Sequence, residues 1–144
     1  MHLALEEARK AAQRGEVPVG AVVVDPASAE VLAASGNRVE EFNDPTAHAE
    51  VLAIRAAAAA RGSLRLAGCH LYVTLEPCAM CATAMSFARI GRVYFGAYDP
   101  KGGGVEHGPR VFSRSTCHHR PEVYGGIAEG EAAQLMRAFF RKRR

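Results

Sequence analysis

The chain has 144 residues, 49% of them hydrophobic, and a formal net charge of +3. This length suits one compact domain with a real core and excludes a second of ordinary size, so residues 1–144 are predicted to form a single domain. No apolar run of about 18 residues or more occurs, and Glu6 and Glu7 stand where a secretory leader would be basic. We therefore expect a soluble cytoplasmic protein without a membrane span.

The N-terminal part of the chain predicts a helix followed by a hairpin. Leu5 and Ala8 recur at helical spacing among charged residues, and Gly15 is expected to end this helix. Residues 17–24 form an apolar run typical of a buried strand. After a turn opened by Asp-Pro, residues 30–35 are expected to return beside it.

A polar segment separates this hairpin from the next helix. Residues 37–44 predict a loop, and the helix that follows runs to Arg61. Asp44 or Thr46 is expected to cap this helix, because both side chains accept hydrogen bonds from free helix N–H groups.

The second half of the chain alternates strands with helices. The predicted strands are residues 70–75, 92–97 and 122–124, and the predicted helices are residues 78–90 and 128–143. Pro77 stops the first of these strands, Gly91 is expected to close the helix after it, and residues 99–108 form a glycine-rich loop. Alternation that opens with a hairpin predicts an α/β fold with a mixed sheet and helices on both faces.

Two short patterns at predicted helix starts carry metal-binding chemistry. Cys78 and Cys81 are three positions apart, so they share a helix face, and the helix N-terminus favours their thiolate forms. His48 adds a neutral nitrogen from the neighbouring helix. Two sulfurs and one nitrogen suit zinc, and three protein ligands leave the fourth position for water, which is typical of a catalytic site.

Glu50 distinguishes a hydrolytic site from the alternatives. A carboxylate two residues from a metal ligand can accept the proton of a water bound to the metal. A structural zinc would need a fourth ligand of similar quality, and the remaining His and Cys residues lack a partner spacing. A redox pair of the thioredoxin type also has the CxxC spacing, but it does not require His48 and Glu50.

These residues resemble the signature of the cytidine deaminase-like superfamily, H-x-E followed by P-C-x-x-C, at His48, Glu50, Pro77, Cys78 and Cys81. The resemblance implies that Glu50 is the general acid and base and not a zinc ligand. Longer segments resemble the bacterial tRNA-specific adenosine deaminase family over nearly the whole chain. They include EVPVGAVVV from Glu16, NDPTAHAE from Asn43, LYVTLEPCAMC from Leu71, ARIGRVYFGAYDPKGG from Ala88 and FFRKRR from Phe139.

That resemblance implies a three-layer α/β/α sandwich around a five-stranded mixed sheet, and a homodimer with one zinc ion per subunit. It further implies that the substrate is the wobble adenosine of a tRNA anticodon loop, which becomes inosine. Asn37 should hydrogen-bond the target base or its ribose, and Asp99 should lie in the loop that borders the nucleotide. The match is loosest from Gly102 to His119.

The positive charge is concentrated at the C-terminus, in a segment called here the basic end. Its members are Arg137, Arg141, Lys142, Arg143 and Arg144. Their charge exceeds the net charge of the whole chain, so the remainder is acidic. Arg141, Lys142 and Arg143 are predicted to contact tRNA phosphates, although cations are also ordinary in the last turn of a solvated helix.

Two other functions remain open from the sequence. A zinc deaminase of a free nucleobase or nucleoside, of guanine or cytosine type, would share the metal site and need no basic end. A binding protein with a structural zinc would need a fourth protein ligand and would leave Glu50 without a role.

Overall fold

The computed structural model describes residues 1–143, whose strands form one five-stranded sheet. The strands are β1 (Gly20–Asp25), β2 (Glu30–Gly36), β3 (His70–Leu75), β4 (Arg92–Ala97) and β5 (Glu122–Tyr124). Their spatial order is β2-β1-β3-β4-β5. Strand β1 pairs antiparallel with β2 and β3, whereas β3, β4 and β5 are parallel. The predicted five-stranded mixed sheet is confirmed.

Helices cover both faces of this sheet. They are α1 (His2–Gln13), α2 (Val39–Phe42), α3 (Ala49–Arg61), α4 (Ala79–Phe87) and α5 (Glu129–Lys142), with a 3₁₀ turn at Val111–Ser113. One face buries Val23, Val73 and Phe95 in the main core with residues of α3 and α4. Helices α1 and α5 contact each other and lie against the strands of the opposite face. The three-layer α/β/α arrangement is therefore confirmed.

Glycines allow the second helix layer to approach the sheet closely. A Cβ on Gly20 would overlap the backbone of α1 at Ala4 and Ala8, and a Cβ on Gly96 would lie 2.9 Å from Ala132 of α5. Only a residue without a side chain fits at either strand position.

Three predicted segments differ from the structure by more than one residue, each for a local reason. Strand β1 starts at Gly20 and not at residue 17, because Pro18 has no N–H and the Val19 N–H bonds back to Val17. The predicted loop at residues 37–44 contains the single-turn helix α2. Helix α4 ends at Phe87 and not at residue 90, because Arg89, with φ of 63°, already adopts the left-handed conformation.

The helices of this fold belong to its two outer layers. The longest, α5, has 14 residues. Within residues 1–143, no helix combines the length and the apolar character that crossing a bilayer requires.

Candidate metal centre and substrate cavity

Two helix N-termini meet at the residues that the sequence patterns single out. His48 is the N-cap of α3 and Cys78 is the N-cap of α4, and both have extended backbone conformations, with ψ of 149° and 173°. Strand β3 leads through Pro77 into Cys78, whereas His48 follows the turn after α2. Because the positive end of each helix dipole faces this point, thiolates and carboxylates are favoured there.

The donor atoms of His48, Cys78 and Cys81 form a compact group, called here the metal cluster. His48 Nδ1 lies 3.7 Å from Cys78 Sγ and 3.5 Å from Cys81 Sγ, and all three donor atoms lie within 4.8 Å of one another. Tetrahedral zinc, with bonds of about 2.3 Å to sulfur and about 2.0 Å to nitrogen, separates its ligand atoms by about 3.6 Å. The donor set therefore fits zinc, and no fourth protein ligand joins it among residues 1–143.

The two thiols of the metal cluster differ in acidity. A hydrogen bond from Cys81 lowers the pKa of Cys78 to about 4, helped by His48. The same hydrogen bond, together with burial, raises the pKa of Cys81. A divalent cation bound here would hold both sulfurs as thiolates, because a coordinating thiol is deprotonated.

Glu50 lies beside the metal cluster in the first turn of α3, with only 4% of its surface exposed. Burial raises the pKa of its carboxyl to about 7, and the charge of Cys78 acts in the same direction. In an ideal helix, positions two apart point to nearly opposite sides, which would separate His48 from Glu50. That conflict does not arise, because His48 precedes the helix and its extended backbone turns the imidazole toward the site.

A cavity of about 510 Å³ opens over these residues. Its lining includes Asn37, His48, Glu50, Cys78, Asp99, Phe139, Phe140 and Arg143. This volume lies in the range of sites for ligands of nucleoside size. A ligand bound in the cavity would lie next to both Glu50 and the metal cluster.

Asn37 both lines this cavity and caps α3. Its Oδ1 accepts a hydrogen bond of 2.8 Å from the Ala49 N–H. The predicted cap by Asp44 or Thr46 is wrong, because Asp44 instead accepts the N–H and hydroxyl of Thr46 in a local turn. The capping bond occupies the Oδ1 of Asn37 and leaves its NH₂ group to donate to a ligand.

Asp99 follows β4 and lines the same cavity. Its Oδ1 accepts the N–H groups of Lys101 at 3.2 Å and Gly102 at 3.0 Å. Gly102 is part of the same lining. The structure thus places Asp99 and Asn37 on the cavity together with Glu50.

Within the described residues, the basic end reaches the cavity through Arg143, which lines it together with Phe139 and Phe140 of α5. A neighbouring depression is lined by Asp99, Lys101, Gly102, Met136, Arg137, Phe140, Arg141 and Arg143. Arg143 stacks at 4.3 Å over the Phe139 ring and donates a hydrogen bond to the Gly15 carbonyl. Lys142 belongs to neither lining, and Arg144 lies outside the described residues.

Glu76 is a residue of the site that the sequence patterns did not single out. Its buried side chain belongs to the cavity lining together with Cys78, and it accepts hydrogen bonds from the loop after β4. Burial alone would raise the pKa of Glu76, but the hydrogen bonds from His107 and from backbone N–H groups outweigh burial and lower it. An acidic residue at the end of an apolar strand, directly before Pro77, was the signal that could have identified it.

Comparison with known proteins gives a consistent picture. The family model described as the cytidine and deoxycytidylate deaminase zinc-binding region matches residues 1–97. The tRNA-specific adenosine deaminase of Agrobacterium fabrum is 60% identical over 144 residues, which cover 100% of this chain and 93% of that protein. The enzyme of the same name from Bacillus subtilis is 44% identical and covers 100% of this chain and 88% of its own length.

Solved structures agree with this match. One from work on A-to-I editing by tRNA:A34 deaminases at the wobble position of transfer RNA has a TM-score of 0.91 and 61% identity. The match covers 94% of this chain and 96% of that one. A guanine deaminase from Nitrosomonas europaea has a TM-score of 0.77 and 25% identity, covering 96% of this chain and 81% of its own.

Proposed function

The chain belongs to the cytidine and deoxycytidylate deaminase family and groups with the tRNA-specific adenosine deaminases, and we propose that it converts the wobble adenosine of a tRNA anticodon loop to inosine. The observation that carries this proposal is the placement of the metal cluster and buried Glu50 in one nucleoside-sized cavity beside a cationic depression. Such a site takes one base into the cavity while cations hold the flanking phosphates.

Zinc is the metal of this family, and the donor set of the metal cluster suits it. We assign His48 Nδ1, Cys78 Sγ and Cys81 Sγ as its protein ligands, with one ion per subunit. When bound, zinc would act as a Lewis acid that lowers the pKa of a coordinated water toward neutral pH. The N-termini of α3 and α4 hold the ligand atoms in place, and the positive end of α4 favours the thiolate forms of the two cysteines.

Glu50 is assigned the proton transfers. Its carboxylate takes a proton from the attacking water, whose oxygen bonds to the carbon bearing the exocyclic amine, and delivers that proton to the ring nitrogen. The remaining hydroxyl proton passes through the same carboxyl to the amine. The carbon–nitrogen bond then breaks, so one water is consumed and one ammonia leaves.

Asn37 and Asp99 are assigned to the nucleotide. The free NH₂ group of Asn37 donates to an acceptor on the base or ribose, because its Oδ1 is already used by Ala49. The loop that begins at Asp99 borders the same cavity through Asp99 and Gly102. These two contacts orient the base against Glu50.

The basic end is assigned to RNA phosphates near the flipped base. Arg141 and Arg143 line the depression next to the cavity, together with Lys101 and Arg137. Lys142 adds charge at the same helix end. Phe140, 44% exposed in this depression, offers an aromatic surface for a neighbouring base.

A homodimer is proposed from an exposed apolar depression between α3 and α4. Its lining includes Val51, Met80, Ala84 and Phe87, and Phe87 is 69% exposed. Phe87→Glu should convert the protein to monomer in sedimentation velocity, because the charge would lie in the buried interface. Leu64→Glu is the control, since Leu64 is 76% exposed outside this lining. Unchanged sedimentation of Phe87→Glu would contradict this interface.

The tRNA substrate leads us to place the protein in the cytoplasm.

The test of the proposed function is release of ammonia from an anticodon stem-loop RNA with adenosine at the wobble position. We expect turnover of this RNA by zinc-loaded protein, and none of a stem-loop with guanosine there. Free guanine, cytosine and adenosine are the comparison substrates, because the fold is shared with guanine deaminases. Turnover of a free base with no reaction on RNA would favour the free-nucleobase alternative.

A further inference from the structure

The buried carboxylate of Glu76 connects two parts of the site that are far apart in sequence. We propose that Glu76 is a positioning residue. Its carboxylate accepts hydrogen bonds from both ends of residues 99–107, a set of contacts called here the clasp. The clasp holds this loop as part of the cavity wall beside Cys78 and thereby sets the affinity for substrate. This inference rests on the proposed function for the identity of the substrate, although the clasp itself is a property of the fold.

Both ends of the loop converge on this one carboxylate. Glu76 Oε1 accepts the Asp99 N–H at 3.1 Å and the His107 Nδ1–H at 2.8 Å. Glu76 Oε2 accepts the backbone N–H groups of residues 105, 106 and 107 at 3.3, 3.0 and 3.1 Å. One side chain therefore holds both ends of the loop, residue 99 and residues 105–107.

The clasped loop is seated directly on the turn that carries Cys78. The Gly104 N–H donates to the Pro77 carbonyl at 2.8 Å, and a Cβ on Gly104 would lie 2.5 Å from the Ala79 nitrogen. A Cβ on Gly103 would overlap Glu76 Oε2. Two adjacent glycines therefore let the loop backbone lie against both the carboxylate and the N-terminus of α4.

The same loop supplies part of the cavity wall. Asp99, which the clasp holds by its backbone N–H, lines the cavity together with Gly102. A displacement of Asp99 therefore changes the space that the base and ribose occupy. By contrast, the side chains of the metal cluster and Glu50 stand at the N-termini of α3 and α4, and the loop contributes none of them.

The decisive variant is Glu76→Gln, which keeps the side-chain size and removes one of the two acceptor oxygens. The matched control is Glu106→Gln, because Glu106 is an exposed carboxylate in the same loop and only its backbone joins the clasp. We expect Glu76→Gln to speed amide hydrogen exchange at residues 105–107 and to retain stoichiometric zinc. We also expect it to raise KM for the stem-loop RNA about tenfold, with kcat changed much less.

A second pair of variants removes the imidazole donor without touching the strand. His107→Ala should also raise KM. His107→Asn should return KM to the wild-type value, because the Asn NH₂ group can replace the Nδ1–H as a donor to Glu76 Oε1. The His107 side chain is 36% exposed, so both variants should fold. This pair keeps the proposal testable if Glu76→Gln fails to fold.

The outcomes separate positioning from a purely structural role. A structural role would reduce the fraction of active protein, which lowers kcat per total enzyme and leaves KM unchanged. That result, or unchanged exchange at residues 105–107, would overturn the proposal. If wild-type protein does not deaminate the RNA, the proposed function fails instead, and hydrogen exchange alone then decides whether Glu76 clasps the loop.

Discussion

The metal cluster and the basic end both contribute residues to one cavity, and they are held in different ways. His48, Cys78 and Cys81 are buried or half-buried at the N-termini of two helices, with donor atoms a few ångströms apart. Arg141 and Lys142 are exposed in the last turn of one helix. The first region depends on fixed short-range geometry, and the second depends on the number and position of charges.

This difference has a consequence for the response to mutation. Coordination requires all ligands together, so a single substitution in the metal cluster removes the function. Charge-based contacts with RNA are additive and screened by salt, so we expect a substitution in the basic end to remove a fraction of affinity and to change its salt dependence. The predictions below run from the largest expected effect to the smallest.

The largest effect is expected for Cys81→Ala. Loss of one of three protein ligands should release zinc and abolish deamination at every salt concentration, because the site then lacks a buried thiolate. Elemental analysis of the purified protein measures the metal, and ammonia release measures activity. Retention of one zinc per subunit would rule out the proposed ligand set.

The next largest effect is expected for Glu50→Gln. Turnover should fall by about 10²–10⁴, the usual contribution of general acid–base catalysis, because an amide neither accepts nor returns the proton. Zinc content and RNA affinity should stay at wild-type values, since Glu50 is not a proposed ligand. Near-normal kcat would remove Glu50 from the mechanism.

A smaller, salt-dependent effect is expected at the basic end. Arg141→Ala should weaken binding of the stem-loop and reduce the slope of log affinity against log salt by about 0.7, the value for one phosphate contact on a single strand. Lys142→Ala is the matched variant, because Lys142 is the adjacent cation and lies outside the depression. Binding titrations at several KCl concentrations measure both slopes. Equal losses of stem-loop affinity in the two variants would mean that the total charge of the basic end, and not the position of a cation in the depression, governs binding.

The smallest effect is expected for Gly130→Ala in the first turn of α5. Nothing lies within 4 Å of a Cβ at this position. The free energy of unfolding should rise by about 0.5 kcal/mol, because alanine has less backbone freedom to lose on folding. Thermal melts measure this change, and the RNA salt slope should not move. A changed slope would indicate that the basic end depends on the conformation of the α5 start.

The alternation of apolar runs with turn residues was sufficient to predict the architecture. It predicted the hairpin, the mixed sheet and helices on both faces, because pleat and helix periods depend on local residue order. Boundaries were less certain where a backbone conformation overrode the residue pattern. Arg89 adopts the left-handed conformation that follows the end of α4, a conformation that is usually predicted from a glycine. The nearest glycine, Gly91, lies two residues later, so the sequence pattern placed the helix end too far along the chain.

The sequence by itself determined which residues could bind zinc, because H-x-E and P-C-x-x-C are local spacings with a direct chemical meaning. It could not determine the contacts of Asn37, Arg143 or Glu76, since each reaches a partner distant in the chain. Asn37 accepts the first N–H of α3, Arg143 bonds to Gly15, and Glu76 accepts N–H groups of residue 99 and residues 105–107. Only the tertiary structure decided these contacts, because a buried polar group takes whichever partner the packed elements bring within hydrogen-bond distance.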